Sequence, residues 1–242
     1  MVAAELGRSA GGGSVKQNVA LRSGSGDEVP TLRRAFALAI DLGFAKEKRS
    51  CGLAWRLPCQ AVEGKKLRFG ECVERVPQLL KGQATAVLII EAPLSGLFSE
   101  DGNPVERGDF EKRLPGGKTD RYWYSGPGAA TCLAAMFFLR ELCAALRRNE
   151  SSQSDSAEII LYEGFETFKS AGTDHEQDAR LLLNSFLGLH ECEVLTVRPV
   201  GEQALVTVMD VVRDAGSPSG PPAIIIPKRA QVEPSVAASL AR

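Results

Sequence analysis

Short apolar runs, each closed by a polar or helix-breaking residue, alternate with amphipathic stretches along this chain. Residues 35–40 form the first run, ended by Asp41 and Gly43. A continuous apolar run of this length suits a strand buried on both faces. Residues 51–57 read as a second strand, joined to the first by the polar turn 45–50, and 66–69 as a third. A helix is expected over 73–80. The run 85–91 is the clearest strand and stops at Ala92-Pro93, since proline has no amide hydrogen and pushes its predecessor out of helical geometry. Residues 95–125, rich in Gly, Pro and charge, read as one long irregular segment, and loops of that length are functional or disordered.

Beyond it, 128–148 reads as a long helix, apolar around most of its circumference and therefore expected to be largely buried. A strand over 158–162 follows, then a helix over 173–187 capped at Thr173 or Asp174, a short strand over 192–197, a helix over 202–215 ending at Gly216, and a last strand over 223–227. No internal repeat is visible. Three early strands joined by tight turns make an antiparallel meander, and later crossover helices make the remaining strands parallel. The expectation is an α/β fold: a mixed sheet with helices on both faces.

Composition changes this picture little. The chain has 242 residues, 44% hydrophobic and 24% charged, the profile of one globular domain with a sizeable core. Residues 1–30, with Gly11-Gly12-Gly13-Ser14 and Ser23-Gly24-Ser25-Gly26, read as a flexible leader, and 229–242 as a flexible tail, leaving 31–228 as the domain. Lys and Arg number 29 against 30 Asp and Glu, a net charge of -1, so nucleic-acid binding would need a local basic patch. No run of about eighteen apolar residues is read, so no membrane span is expected. The N-terminus lacks the order of a secretory signal. The six cysteines show no C-x-x-C spacing, and reduced thiols in apolar segments behave as small hydrophobes. A cytoplasmic location is expected.

Candidate chemistry lies at two strand ends. Asp41 closes a purely apolar strand, where an ionised carboxylate is costly unless hydrogen-bonded, paired or bound to metal. By itself it reads equally as an Asx turn before Gly43. Glu91 repeats the pattern at the end of 85–91, and glutamate is a poor strand former with no role in turn chemistry there. Sites in α/β sheets gather where strands end. On adjacent strands, Asp41 and Glu91 would share Mg²⁺ or Mn²⁺, which prefer oxygen ligands.

The segment Ala39-Ile40-Asp41-Leu42-Gly43, followed by Cys51-Gly52-Leu53-Ala54-Trp55, resembles the first hairpin of RuvC-type Holliday junction resolvases and related uncharacterised families of the RNase H-like superfamily. The resemblance spans about residues 35–227 in element order. It implies an RNase H-like mixed sheet, a second acid ending the fourth strand as Glu91 does, and a third acid from a C-terminal helix. It further implies a metal-dependent nuclease that cleaves DNA or RNA by two-metal hydrolysis, with Mg²⁺ or Mn²⁺ as cofactor.

For the third acid, Asp210 is preferred, because it interrupts an apolar stretch; Asp214 stands one turn beyond it on the expected helix. Asp178 is the alternative: Asp174-His175-Glu176-Gln177-Asp178 resembles the His-x-x-Asp or Asp-x-x-Asp pair of the resolvases, and reads equally as a solvated helix start. The catalytic and metal-binding set is thus Asp41, Glu91 and Asp210, with Asp178 in reserve.

Lys118 to Pro127 combines cations with Tyr122, Trp123 and Tyr124, which reads as a stacking platform or, preferably, as a loop anchored by Trp123. Arg107, Lys112, Arg113, Lys118 and Arg121 form a basic lip or a solvated face. Glu163 reads as a salt-bridge or turn residue before a supporting acid. The chain has two histidines and neither a Gly-x-Ser-x-Gly elbow nor a Walker A loop, which disfavours serine hydrolase and P-loop chemistry. A non-catalytic RNase H-like binding module is the runner-up function. A nucleotide-binding relative of the actin and sugar-kinase group, normally two such domains in a longer chain, comes third.

Overall fold

The computed structural model describes residues 20–43, 48–111, 123, 127–148, 158–166, 174–212 and 220–228. In chain order, β1 (Ala20–Ser23) leads through a 3-10 turn (Gly26–Glu28) and α1 (Val29–Leu32) into β2 (Phe36–Asp41), β3 (Cys51–Arg56) and β4 (Glu63–Leu67). Then come α2 (Phe69–Leu80), β5 (Thr85–Glu91), β6 (Ser95–Phe98), β7 (Pro104–Val105) and a 3-10 turn (Asp109–Glu111). Next are α3 (Pro127–Arg148), β8 (Glu158–Gly164), α4 (His175–Phe186) and β9 (Cys192–Leu195). The last elements are β10 (Ala204–Thr207), α5 (Met209–Val212) and β11 (Ile224–Pro227).

The main sheet is mixed, with the order β4-β3-β2-β5-β8-β11-β9 and β1 also paired to β8. β4, β3 and β2 form the expected antiparallel meander, while β2, β5, β8 and β11 run parallel. β1 covers the first half of the β8 edge and β11 the second, because β11 meets β8 only at Glu163 and Gly164.

The two sheet faces differ in residue size, and that difference positions the site. On one face Phe36, Leu38, Ile40, Leu53, Leu88 and Ile90 pack beneath α2 and α3. On the other, Ala37, Ala39 and Ala54 leave little side-chain height, so α4 settles close to the backbone through Ala179, Leu182, Leu183 and Phe186. A Cβ built on Gly164 would stand 2.9 Å from Leu182, so glycine there is part of the same close approach.

Several expectations change. The ordered chain begins before residue 31: within the supposed leader, β1 pairs with β8, and Arg22 bridges Glu28 and Glu158 at 2.7 Å each. Residues 1–19 and 229–242 lie outside the described residues. The irregular segment contains β6 and β7, which with β10 form a small separate sheet. The helix expected over 202–215 is instead strand β10 followed by the single turn α5. Ala204-Leu205-Val206-Thr207 suits either state by pattern, and antiparallel pairing with β6 settles it. Asp214 lies outside the described residues.

Finally, α3 is the expected helix but is not largely buried. Gly128–Arg147 is long and apolar enough to cross a membrane, with a mean hydropathy of 1.7, where no such run was expected, and 28% of that window is buried. Its inner face, Ala135, Phe138, Leu139 and Leu142, packs into the core.

Candidate active site

Asp41 and Glu91 end neighbouring parallel strands and stand in register. Side chains alternate faces along a strand, so both fall on the small-residue face beneath α4. Asp41 is 1% exposed, and its Oδ2 lies 2.8 Å from Nδ1 of His175, the first residue of α4. The contact assigns the proton of neutral His175 to Nδ1, donating to the carboxylate, and makes Nε2 the basic nitrogen. The imidazole is 41% exposed, so the dyad runs from a buried acid to an accessible ring.

Local chemistry fixes where α4 begins. Asp174 is the N-cap, accepting from the Gln177 amide at 3.0 Å, which satisfies one of the otherwise unpaired amides of the first turn. Lys66 on β4 lies 2.8 Å from the same carboxylate and, with the Gln177 amide, holds it below its ordinary pKa. Opposite Asp41 on β3 is Gly52, where a Cβ would fall 1.7 Å from the His175 carbonyl oxygen. Gly52→Ala is therefore expected to push the start of α4 away from the sheet. It should cost about 1–3 kcal/mol, as overpacking does, and separate His175 from Asp41. Urea unfolding and the His175 imidazole NMR signals check this, and unchanged stability with unshifted signals would contradict it.

Just past Asp41, the buried Cys51 holds the chain turn. Its thiol donates to the Gly43 carbonyl at 2.7 Å. A hydrogen bond with the Cys72 thiol lowers the Cys51 pKa and, with burial, raises that of Cys72.

Of the two candidates for the third acid, Asp178 lies on α4 one turn beyond His175, 2% exposed, beside the core residue Ala179. Asp210 does local work. Its Oδ2 accepts from the Thr207 amide at 3.0 Å, while Thr207 Oγ1 accepts from the Met209 amide at 3.3 Å. Those two bonds close the turn that leads into α5, and Asp210 is exposed. Asp41 and Glu91 thus share the sheet face that His175 and α4 cover, Asp178 is buried on that helix, and Asp210 bonds the end of β10. Among the described residues, no group of three or more His, Cys, Asp or Glu is placed to hold a metal ion. His175 is absent from the expected site residues, although the His-x-x-Asp spacing of His175 and Asp178 is the sequence signal for it.

Glu163, next to Gly164 at the end of β8, points to the opposite face and is fully buried. Arg107 Nη1 donates to both its oxygens at 2.7 and 2.9 Å, and the Leu94 amide donates at 2.8 Å. Arg107 also donates through Nε to Glu111 at 2.9 Å, so a cation and two acids are buried together. Burial pushes the Glu163 carboxyl up, and Arg107 works against that rise. Burial likewise opposes the charge on Arg107, and the two acids more than offset it. Glu163 is the salt-bridge residue that the sequence suggested. Arg107 is no member of a basic lip: three carboxylate contacts leave its charge neutralised inside the protein. Lys112, Arg113, Lys118 and Arg121 lie outside the described residues, as do Tyr122 and Tyr124. Trp123 is the loop anchor, donating through Nε1 to the Val105 carbonyl at 2.8 Å and packing edge-on against Phe98. In comparisons with protein-family models, curated proteins and solved structures, the chain matches none of them.

Proposed function

We propose that this protein is a Mg²⁺- or Mn²⁺-dependent phosphodiesterase of RNase H-like type that cleaves nucleic acid. One observation carries the reading: Asp41 and Glu91 stand in register on adjacent parallel strands. Neighbouring strands lie about 4.8 Å apart, so two carboxylates on one face at that spacing repel each other unless a proton or a cation lies near. An all-oxygen pair suits a hard divalent ion. Asp41 and Glu91 are the pair that would hold it, and Asp178, buried on the covering helix α4, is the acid proposed to join them on binding. The order β4-β3-β2-β5-β8, with the meander first and the acids ending its inner strand and the next parallel strand, supports the same superfamily.

Bound there, a divalent ion would supply an activated water and stabilise charge on the leaving oxygen. The chain's own contribution is orientation. His175 holds the Asp41 carboxylate in one rotamer through Nδ1 and presents Nε2 at the accessible edge to take or give a proton. The small residues beneath α4 keep that geometry tight.

A second reading, an RNase H-like module that binds nucleic acid or protein without cleaving, is favoured by the lack of a three-ligand group among the described residues. One experiment separates the two. The full chain is incubated with single-stranded, duplex and branched DNA, RNA and hybrid substrates in Mn²⁺, with EDTA and Asp41→Asn as controls. Cleavage that disappears with both controls supports the phosphodiesterase. Binding without cleavage supports the module, and cleavage surviving Asp41→Asn removes Asp41 from the site.

A further inference from the structure

A net charge of -1 hides a polarised sheet. Residues 48–75, which span β3, β4 and the start of α2, hold seven Lys and Arg against three Glu. The segments 158–166, 191–195 and 224–228, which hold β8, β9 and β11, have five Glu against one cation, Lys228. Asp41 and Glu91 end the two strands that lie between these halves. The cations gather at the end of the sheet where the acid pair lies. β2 and β4 run toward that end and β3 leaves it, so Lys48 and Arg49 before β3, Lys66 on β4 and Arg68 before α2 form one rim. All four are exposed, as is Lys65. Lys66 shares the cross-strand row of Asp41, with Gly52 between them. At two strand spacings their backbones are about 10 Å apart, roughly three nucleotide rises along a strand. Two acids offset part of the charge: Glu71 lies 3.7 Å from Arg49, and Asp174 lies 2.8 Å from Lys66. Exposed pairs of this kind are weak. Lys48, Lys65 and Arg68 make no ion pair among the described residues.

We infer that this rim holds the phosphate backbone of a nucleic-acid strand on the β4 side of the acid pair, while the acidic β8, β11 and β9 side repels it. The inference deepens the cleavage reading and takes from it the identity of the polyanion. A chain without overall positive charge binds nucleic acid through a local cluster of cations. Arg107, buried between two acids, supplies none, and the rim does. Phosphate contacts position a strand without reading its bases. The rim therefore fixes where a strand lies relative to Asp41 and Glu91, and binding is one-sided and indifferent to sequence. An anionic membrane surface is the poorer fit. Peripheral membrane binding draws on inserted apolar area as well as charge, and none of the exposed large apolar side chains falls within residues 48–75.

The test is fluorescence anisotropy on the full chain with labelled single-stranded and duplex DNA of unrelated sequences. It is run in EDTA, so that binding is read without cleavage, over about 50 to 200 mM salt. Far-UV circular dichroism confirms that each variant is folded. Wild type should bind every sequence alike, with affinity falling steeply as salt rises. Lys48→Gln with Arg68→Gln removes two phosphate contacts. The slope of log affinity against log salt should flatten by about 1.4 on the single strand and about 1.8 on the duplex, and affinity at the lowest salt should drop about ten-fold or more. Lys48→Arg with Arg68→Lys restores both charges and should recover the slope, whereas Glu193→Gln on the acidic side should leave it unchanged. An unaltered slope in the folded Lys48→Gln, Arg68→Gln protein overturns the inference. So does a wild type that binds neither DNA, or that prefers phosphatidylserine vesicles to both. The cleavage reading is judged separately: Mn²⁺-dependent cleavage with an unaltered slope removes the rim alone, and a flattened slope without cleavage keeps the rim and removes the phosphodiesterase.

Discussion

Asp178→Asn is expected to lower Mn²⁺-dependent cleavage by about a hundred-fold or more, the scale on which metal-site substitutions act, while Asp210→Ala leaves cleavage nearly unchanged. The contrast rests on what each carboxylate does. Asp178 is buried on α4, the helix that packs on the sheet face carrying Asp41, one turn from the histidine that touches Asp41. Asp210 spends its charge on the Thr207 amide at the start of α5, so its loss should appear as a capping defect of about 0.5–2 kcal/mol. Cleavage rates and urea midpoints for the two variants form a double dissociation: one loses activity and keeps stability, the other the reverse. Cleavage lost with Asp210→Ala and kept with Asp178→Asn would reverse the assignment of the third acid.

Arg107→Ala should destabilise the fold by about 3–5 kcal/mol, the penalty for breaking a buried ion pair from one side. Glu163 and Glu111 would be left buried without the guanidinium that now contacts both. The deficit carries a pH signature. Burial already raises the Glu163 pKa in the folded state, and without Arg107 it should rise further. A folded state that holds its proton more tightly than the unfolded chain gains stability as pH falls. The variant should therefore recover part of its deficit, relative to wild type, between neutral pH and the carboxylate range. Replacing all three charges together, Arg107→Met with Glu111→Leu and Glu163→Leu, should cost far less than Arg107→Ala, since no buried charge is then stranded. Chemical denaturation across pH checks both statements. An Arg107→Ala protein within about 1 kcal/mol of wild type at neutral pH would show that the triad contributes little.

What was legible in the sequence was whatever short-range pattern dictates. The continuous apolar runs that end at Asp41 and Glu91 became β2 and β5, and the run 85–91 is the strand Thr85–Glu91 without adjustment. Such runs bury both faces, and a carboxylate at their ends needs a partner, so strand and candidate ligand are read from the same few residues. The meander followed by the parallel strands β5, β8 and β11 also came from turn lengths and crossover lengths, whereas β9, expected to be parallel too, pairs antiparallel with β11.

Other features depended on chain segments far apart in sequence. Residues 204–207 fit a helix or a strand equally, and pairing with β6, more than a hundred residues earlier, made them a strand. Asp210 therefore follows a strand and lies in a single helical turn, not in the long helix expected there. His175 reaches Asp41 across 134 positions, and what lets it do so is the absence of side chains at Gly52 and the smallness of Ala37, Ala39 and Ala54, a property of the assembled face. Arg107 looks solvated among acids and glycines, yet the fold closes over it because Glu163 arrives from β8 to neutralise it together with the neighbouring Glu111. By itself, then, the sequence determined the central strands of the main sheet, the long helices and the two strand-end acids, because these follow from local periodicity and the cost of burying charge. Tertiary structure alone decided which helix brings a histidine to Asp41, which charges are buried, and which part of α3 packs into the core, because each depends on what packs against a residue once the chain is folded.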